Sequence, residues 1–192
     1  MLGLDRRRHV ECRETTNVGH GDQLRMLDAF ERSGARGSIE HAQLVSVSDI
    51  GRFAALDVAA SVQPEHLWDD RDVADALWAG RTERAYPYGA LAAAGARLTL
   101  GSDAPVAPLD PWRGIAAAVH RTADEREPWH PEQHLTREQA LVAATRRARV
   151  DPGMVADVVV VDANPLAAAP DELRDMAVSA TLVGGHFTHR TF

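Results

Sequence analysis

Asp103 stands in the stretch Leu98-Thr-Leu-Gly-Ser-Asp-Ala-Pro-Val-Ala-Pro-Leu-Asp-Pro-Trp112, where a carboxylate closely follows a short apolar run. Two other places in the chain repeat that arrangement. His41 ends Gly37-Ser-Ile-Glu-His-Ala42, and Gln63 with His66 follows Val58-Ala-Ala-Ser-Val-Gln63, which Pro64 stops. Imidazole and carboxylate are the groups that move protons near neutral pH and that hold divalent metals. Taken singly each is commonplace: an Asp before Ala-Pro caps a turn, and a histidine at a strand end usually holds structure. Their shared position matters more, because parallel α/β folds place their chemistry at the C-terminal ends of strands.

The elements that must position them are legible in outline. Leu24, Leu27 and Phe30 share one face of a helix that Asp22 can cap and that Ser33-Gly34 ends near Arg32. A brief strand over 37–42 ends near His41. Ser46 or Ser48 then caps a helix through Leu56, and Val58–Gln63 reads as the next strand. A mostly helical connection runs from Asp70 to Ala94, interrupted at Pro87 and closed by Gly95, and leads into a strand over Arg97–Leu100. Near-continuous apolar strands alternating with helices predict parallel pairing. Asp110 with Pro111 opens a helix to His120, and Thr136-Arg-Glu-Gln139 is a capping box for a helix to about Arg147, with a loop over 121–135 between them. After Asp151-Pro-Gly153 the chain turns to β: a strand over Ala156–Asp162, a helical turn over Pro170–Asp175, and two strands flanking Gly184-Gly185, a hairpin signal. Residues 1–19 are the least readable part, and their basic run Arg6-Arg7-Arg8 reads as a solvated end.

Composition narrows the classes. Against 28 Asp and Glu stand 21 Lys and Arg, a net charge of −7, which argues against nucleic acid or an anionic membrane as partner. A lone cysteine, Cys12, allows no internal disulfide and no zinc finger, and fits a reducing cytoplasm, the expected location. No apolar run approaches the ~18 residues of a membrane span. No Gly-x-Gly-x-x-Gly or Gly-x-x-x-x-Gly-Lys loop is present to cradle phosphates, and no Gly-x-Ser-x-Gly elbow to present a nucleophilic serine.

The segments Ile39-Glu-His-Ala-Gln43, Ala60-Ser-Val-Gln-Pro-Glu-His66, Leu100-Gly-Ser-Asp-Ala-Pro-Val106 with Leu109-Asp-Pro111, Leu135-Thr-Arg-Glu-Gln-Ala140, Pro152–Asp162 and Val183-Gly-Gly185 occur in one order across residues 36–186. As an ordered set they resemble the metal-dependent amidohydrolase superfamily, specifically amidohydrolase family 3, the YtcJ-like branch. The resemblance implies an α/β fold: the C-terminal half of a (β/α)8 TIM-like barrel over 1–150, about its last four strand–helix units, followed by a small β-sandwich portion over 151–192. It implies a hydrolase of carbon–nitrogen bonds other than peptide bonds, with a small amide-type substrate and a divalent metal such as zinc. Asp103 would be catalytic, binding metal and taking the proton from the attacking water. His41 would be a metal ligand, and His66 with Gln63 would face the substrate.

The pattern also departs from the family. The His-x-His pair of its first strand and the ligand of a middle strand have no match here. In the fifth-strand pattern His-x-x-Gly-Asp, Gly21-Asp22 is present but Val18 occupies the histidine position; His20, two residues on, is the candidate replacement ligand. The resemblance therefore covers about the C-terminal half of such an enzyme, and the absent half, or a second copy of this chain, is the expected partner. Two other readings stay open on these residues: an inactive fragment, and a non-enzymatic α/β interaction module.

Overall fold

The alternation of strands and helices closes into a four-stranded sheet whose pairs are all parallel, ordered as in the sequence: β1 (His9–Glu11), β2 (Arg36–Ile39), β3 (Val58–Val62) and β4 (Leu98–Leu100). The computed structural model describes residues 9–11, 20–146 and 149–192, with the side chains of 9–11 and 20–24 outside that description. Each crossover carries helix: α1 (His20–Ser33), α2 (Val47–Ala55), then α3 (His66–Leu77) and α4 (Tyr88–Ala93). The strand β1 lies within residues 1–19, the least readable part of the sequence. Three residues are too few to show a period, and only pairing with β2 defines them as a strand.

The two faces of this sheet differ. Ile39, Val58, Ala60 and Val62 are buried against Leu27, Phe30, Phe53, Leu67 and Leu91 from the helices. The alternate residues Ser38, Ser61 and Thr99 lie on the opposite face. There the hydroxyls of Ser38 and Ser61 both donate to the Glu40 carboxylate. Apolar residues on one face and a serine–glutamate network on the other fix the register, since a slip of one residue would exchange them.

Beyond β4 come α5 (Pro111–His120) and α6 (Arg137–Ala144). Both starts follow the sequence expectation. The Asp110 carboxylate accepts from Trp112 N–H at 3.0 Å with Pro111 in the first turn, and Thr136 and Gln139 complete the capping box. Between the two helices the chain is held by Arg121, fully buried and left-handed at φ 55°, which donates to the carbonyls of Trp129 (2.7 Å) and Tyr86 (3.2 Å). Burial holds its pKa below the ordinary arginine value.

A second, antiparallel sheet follows, ordered β5 (Val158–Val161), β6 (Val178–Val183), β7 (His186–Arg190), with α7 (Pro170–Arg174) inserted before β6. Gly184 and Gly185, at φ 57° and 82°, form the tight turn of the β6–β7 hairpin, the positive angles that a two-residue connection needs. Leu173 and Met176 join the core of the first sheet, and Arg137 donates to the Pro165 carbonyl at 3.1 Å. No helix among the described residues is long and apolar enough to cross a membrane.

Candidate metal centre

Three strand ends deliver the site. β2 stops at Ile39, two residues earlier than the expected end near His41, because His41 takes a left-handed backbone at φ 53°. The turn is pinned to the next strand: Ala42 N–H donates to the Ser61 carbonyl at 3.2 Å. After β3, Gln63 is buried and Pro64-Glu65 lead straight into α3, which begins at His66 rather than at the expected Asp70. After β4, Gly101 N–H still donates to the Val62 carbonyl at 3.0 Å, and Asp103 then turns at φ 57°. A left-handed backbone is uncommon outside glycine, though asparagine, aspartate and histidine adopt it more readily than other residues.

The result is a cluster. One ligand atom each from His41, His66 and Asp103 lie within 4.8 Å of one another. Asp103 Oδ2 is their common neighbour, 3.7 Å from His41 Nε2 and 3.9 Å from His66 Nε2. The imidazole rings stack with centroids 5.8 Å apart and planes inclined by 20°. His66 Nε2 is buried without a hydrogen-bond partner. A buried nitrogen left unpaired is disfavoured unless something else completes it, and two imidazoles with a carboxylate form a donor set suited to a divalent transition metal. Two ligands on one ion stand no further apart than twice a metal–ligand bond, ~4.2 Å for zinc; both distances to Asp103 satisfy that, and the three atoms together lie within 4.8 Å, close to that limit. The residues therefore fit a metal.

The other expected residues are placed differently. Gln63 is buried beside the cluster, and a Cβ added at Gly101 would stand 3.9 Å from its Nε2. His20 is the first residue of α1. Its side chain, and Val18 altogether, lie outside the described residues. His130 and His134 are held within their own loop, by Glu132 (3.2 Å) and the Pro131 carbonyl (2.7 Å), and His186 and His189 lie on β7. His120 ends α5, where the helix dipole would suit a cation. Burial outweighs that and lowers its pKa, with Arg137 adding to the effect.

Sequence reasoning missed the support behind His66. Glu65, with its side chain only 8% exposed, receives the Arg113 guanidinium on Oε1, at 2.7 Å from Nε and 2.6 Å from a terminal nitrogen. Arg113 in turn lies over the Trp68 ring at 5.5 Å. Nothing local links residues 65 and 113; only a histidine following a buried acid at a helix start hints at the arrangement. Beside the cluster, a cavity of about 210 Å³ is bordered by Gly101 and Ser102, the residues leading into Asp103.

A parallel sheet with a His–His–Asp cluster on its C-terminal rim defines an α/β protein with a group of side chains that could hold a metal ion. The family model described as the amidohydrolase family matches residues 10–189, and the chain belongs to that family. Protein LONG AFTER FAR-RED 3 of Arabidopsis thaliana is 36% identical over 184 residues, covering 83% of this chain and 31% of its own length. N-substituted formamide deformylase of Arthrobacter pascens is 25% identical over 180 residues, covering 83% of this chain and 33% of its own. The crystal structure of an uncharacterized metal-dependent hydrolase from Pyrococcus horikoshii superposes with a TM-score of 0.71 at 28% identity, over 80% of this chain and 34% of that one. The chain thus spans about a third of the length of the relatives it matches.

Proposed function

We propose that this chain carries part of the metal centre of a hydrolase that cleaves carbon–nitrogen bonds in small amides. The observation that carries the reading is the convergence of His41, His66 and Asp103 from three separate strand ends. In this reading residues 1–150 are about four strand–helix units of a TIM-like barrel, and 151–192 part of a small β-sandwich. His41, His66 and Asp103 would hold the metal, zinc being the ion that an N,N,O set accommodates with a position left open. A divalent metal would supply Lewis-acid polarisation of a carbonyl and lower the pKa of a bound water to about 7.

The chain's own residues account for the rest. The Asp103 carboxylate, 37% exposed, is open enough to accept a proton from the attacking water. As the water oxygen bonds to the amide carbon, that proton waits on Asp103. When the carbon–nitrogen bond breaks it passes to the leaving nitrogen, giving an acid and an amine and returning Asp103 to its ionised form. Gln63, buried beside the strand end, offers an amide N–H to the substrate. The unpaired Nε2 of His66, aimed at Asp103, favours the ligand role over the substrate-side role expected from sequence. The Arthrobacter and Pyrococcus relatives support the class, and the formamide deformylase makes N-substituted formamides the first substrates to try.

The test is metal content per chain after zinc loading and exhaustive dialysis. Close to one ion per chain, lost in His41→Ala and in Asp103→Asn, is the expected result. A native chain that retains no metal overturns the reading.

A further inference from the structure

We infer that the cavity beside the metal cluster is a binding site for a neutral, flat apolar group carrying one N–H or O–H donor. It rests on the proposed function only in taking that group as a substituent of the amide substrate. Leu100, Leu109, Pro111 and Ala144 make the walls apolar, and the volume is about 210 Å³. An apolar cavity of about 150 Å³ holds benzene, so this one has room for a fused bicycle.

One polar atom in the lining has no protein partner. Glu65 Oε1 is taken by Arg113, but Oε2 is buried with no hydrogen bond. A buried acceptor in that condition calls for a donor. Because Arg113 already neutralises the carboxylate, the complement is a neutral N–H or O–H rather than an ammonium ion.

A second, independent observation is Gly114. It lies inside α5, where glycine is disfavoured against any ordinary residue. A Cβ built there meets nothing within 4 Å, so packing does not require glycine. What a side chain at 114 would fill is the cavity it lines. Gly101 and Ser102, the two residues before Asp103, border the same space, so the cavity adjoins the loop that carries Asp103.

Indole and benzofuran separate the donor from the ring, since they share shape and differ in N–H against ether oxygen. Both are titrated into the full 192-residue chain by calorimetry, in chelator and again with zinc. Indole is expected to bind about tenfold tighter than benzofuran, the worth of one hydrogen bond to a charged acceptor. In Glu65→Gln the amide oxygen keeps Arg113 and turns its NH2 toward the ring, so the preference disappears. Gly114→Leu is expected to abolish binding of both while its melting temperature holds or rises, since leucine favours the helix. Equal affinity of the native chain for the two probes, binding of neither, or undiminished binding by a folded Gly114→Leu would each overturn the inference. The chelator arm is independent of metal: failure there leaves zinc stoichiometry untouched, and failure of zinc retention leaves the indole titration untouched.

Discussion

Asp103 and the two histidines contribute unequally to the cluster. Asp103 Oδ2 is the atom both imidazoles approach, and it is the only anion among the three. Asp103→Asn preserves shape and removes that charge, so it is expected to weaken zinc binding by more than the ~10–100-fold typical of an outer-shell change, read by competition with a chromogenic chelator. His66→Ala should fall in the same range, whereas a purely substrate-facing His66 would leave zinc affinity unchanged. Since Asp103 is 37% exposed and adds nothing to the apolar core, metal-free Asp103→Asn should unfold within ~0.5 kcal/mol of the native chain. His120 behaves differently because its burial favours the neutral form. Its folded pKa lies below the unfolded value of about 6.5, so the unfolded chain takes up the proton first as pH falls. Stability is therefore full above that pH and declines as pH drops through and below it. Asp124, Asp171 and Arg174 line the same cleft, with Arg137 opposing the charge. Urea midpoints measured from pH 7.5 down to 5.5 should fall, and His120→Gln should remove part of that slope.

At the scale of elements, the helix starts are where local chemistry decides most. Asp110 caps α5 and closes the loop that carries Asp103, so Asp110→Ala is expected to cost about 1 kcal/mol, a drop in melting temperature of roughly 2–4 °C, with zinc affinity falling in parallel. This start, the Thr136–Gln139 capping box and the Gly184-Gly185 hairpin were all legible in the sequence, because each is specified by residues within four positions of one another. The parallel pairing of β2, β3 and β4 was legible too, from apolar strands interrupted by helical stretches. Other features depend on the packed fold. His41 in a left-handed turn contradicts its own backbone preference, and neighbouring contacts such as Ala42 to Ser61 are what hold it. The start of α3 at His66 was hidden because Pro64 reads as a stop, although proline is equally at home just ahead of a helix. The Glu65–Arg113 pair spans 48 residues and leaves no local trace. So the residues that gather at the strand ends were readable, while the packed partners of each were not.

For the whole molecule the open question is what meets the parallel sheet at its sides. Among the described residues, β1 and β4 each pair on one side only, and the Ser38–Glu40–Ser61 face carries no helix residues of the core. Unpaired strand edges are templates for another chain unless charge, proline or a bulge blunts them. β4 has none of these within Leu98-Thr-Leu100, and its side chains are only half-buried. The ladder to β3 uses the Arg97 carbonyl and the Gly101 N–H, and in a parallel strand alternate residues bond to the same neighbour. Thr99 therefore belongs to the β3 ladder, while the backbone groups of Leu98 and Leu100 point to the open edge. Association through this edge is expected to raise the sedimenting mass above 20.8 kDa and to slow hydrogen exchange at Leu98 and Leu100 as concentration rises. Thr99 and Gly101 should be protected at every concentration, because their partners lie within the chain. Exchange at Leu98 and Leu100 that stays fast and independent of concentration would show that the β4 edge recruits no second chain.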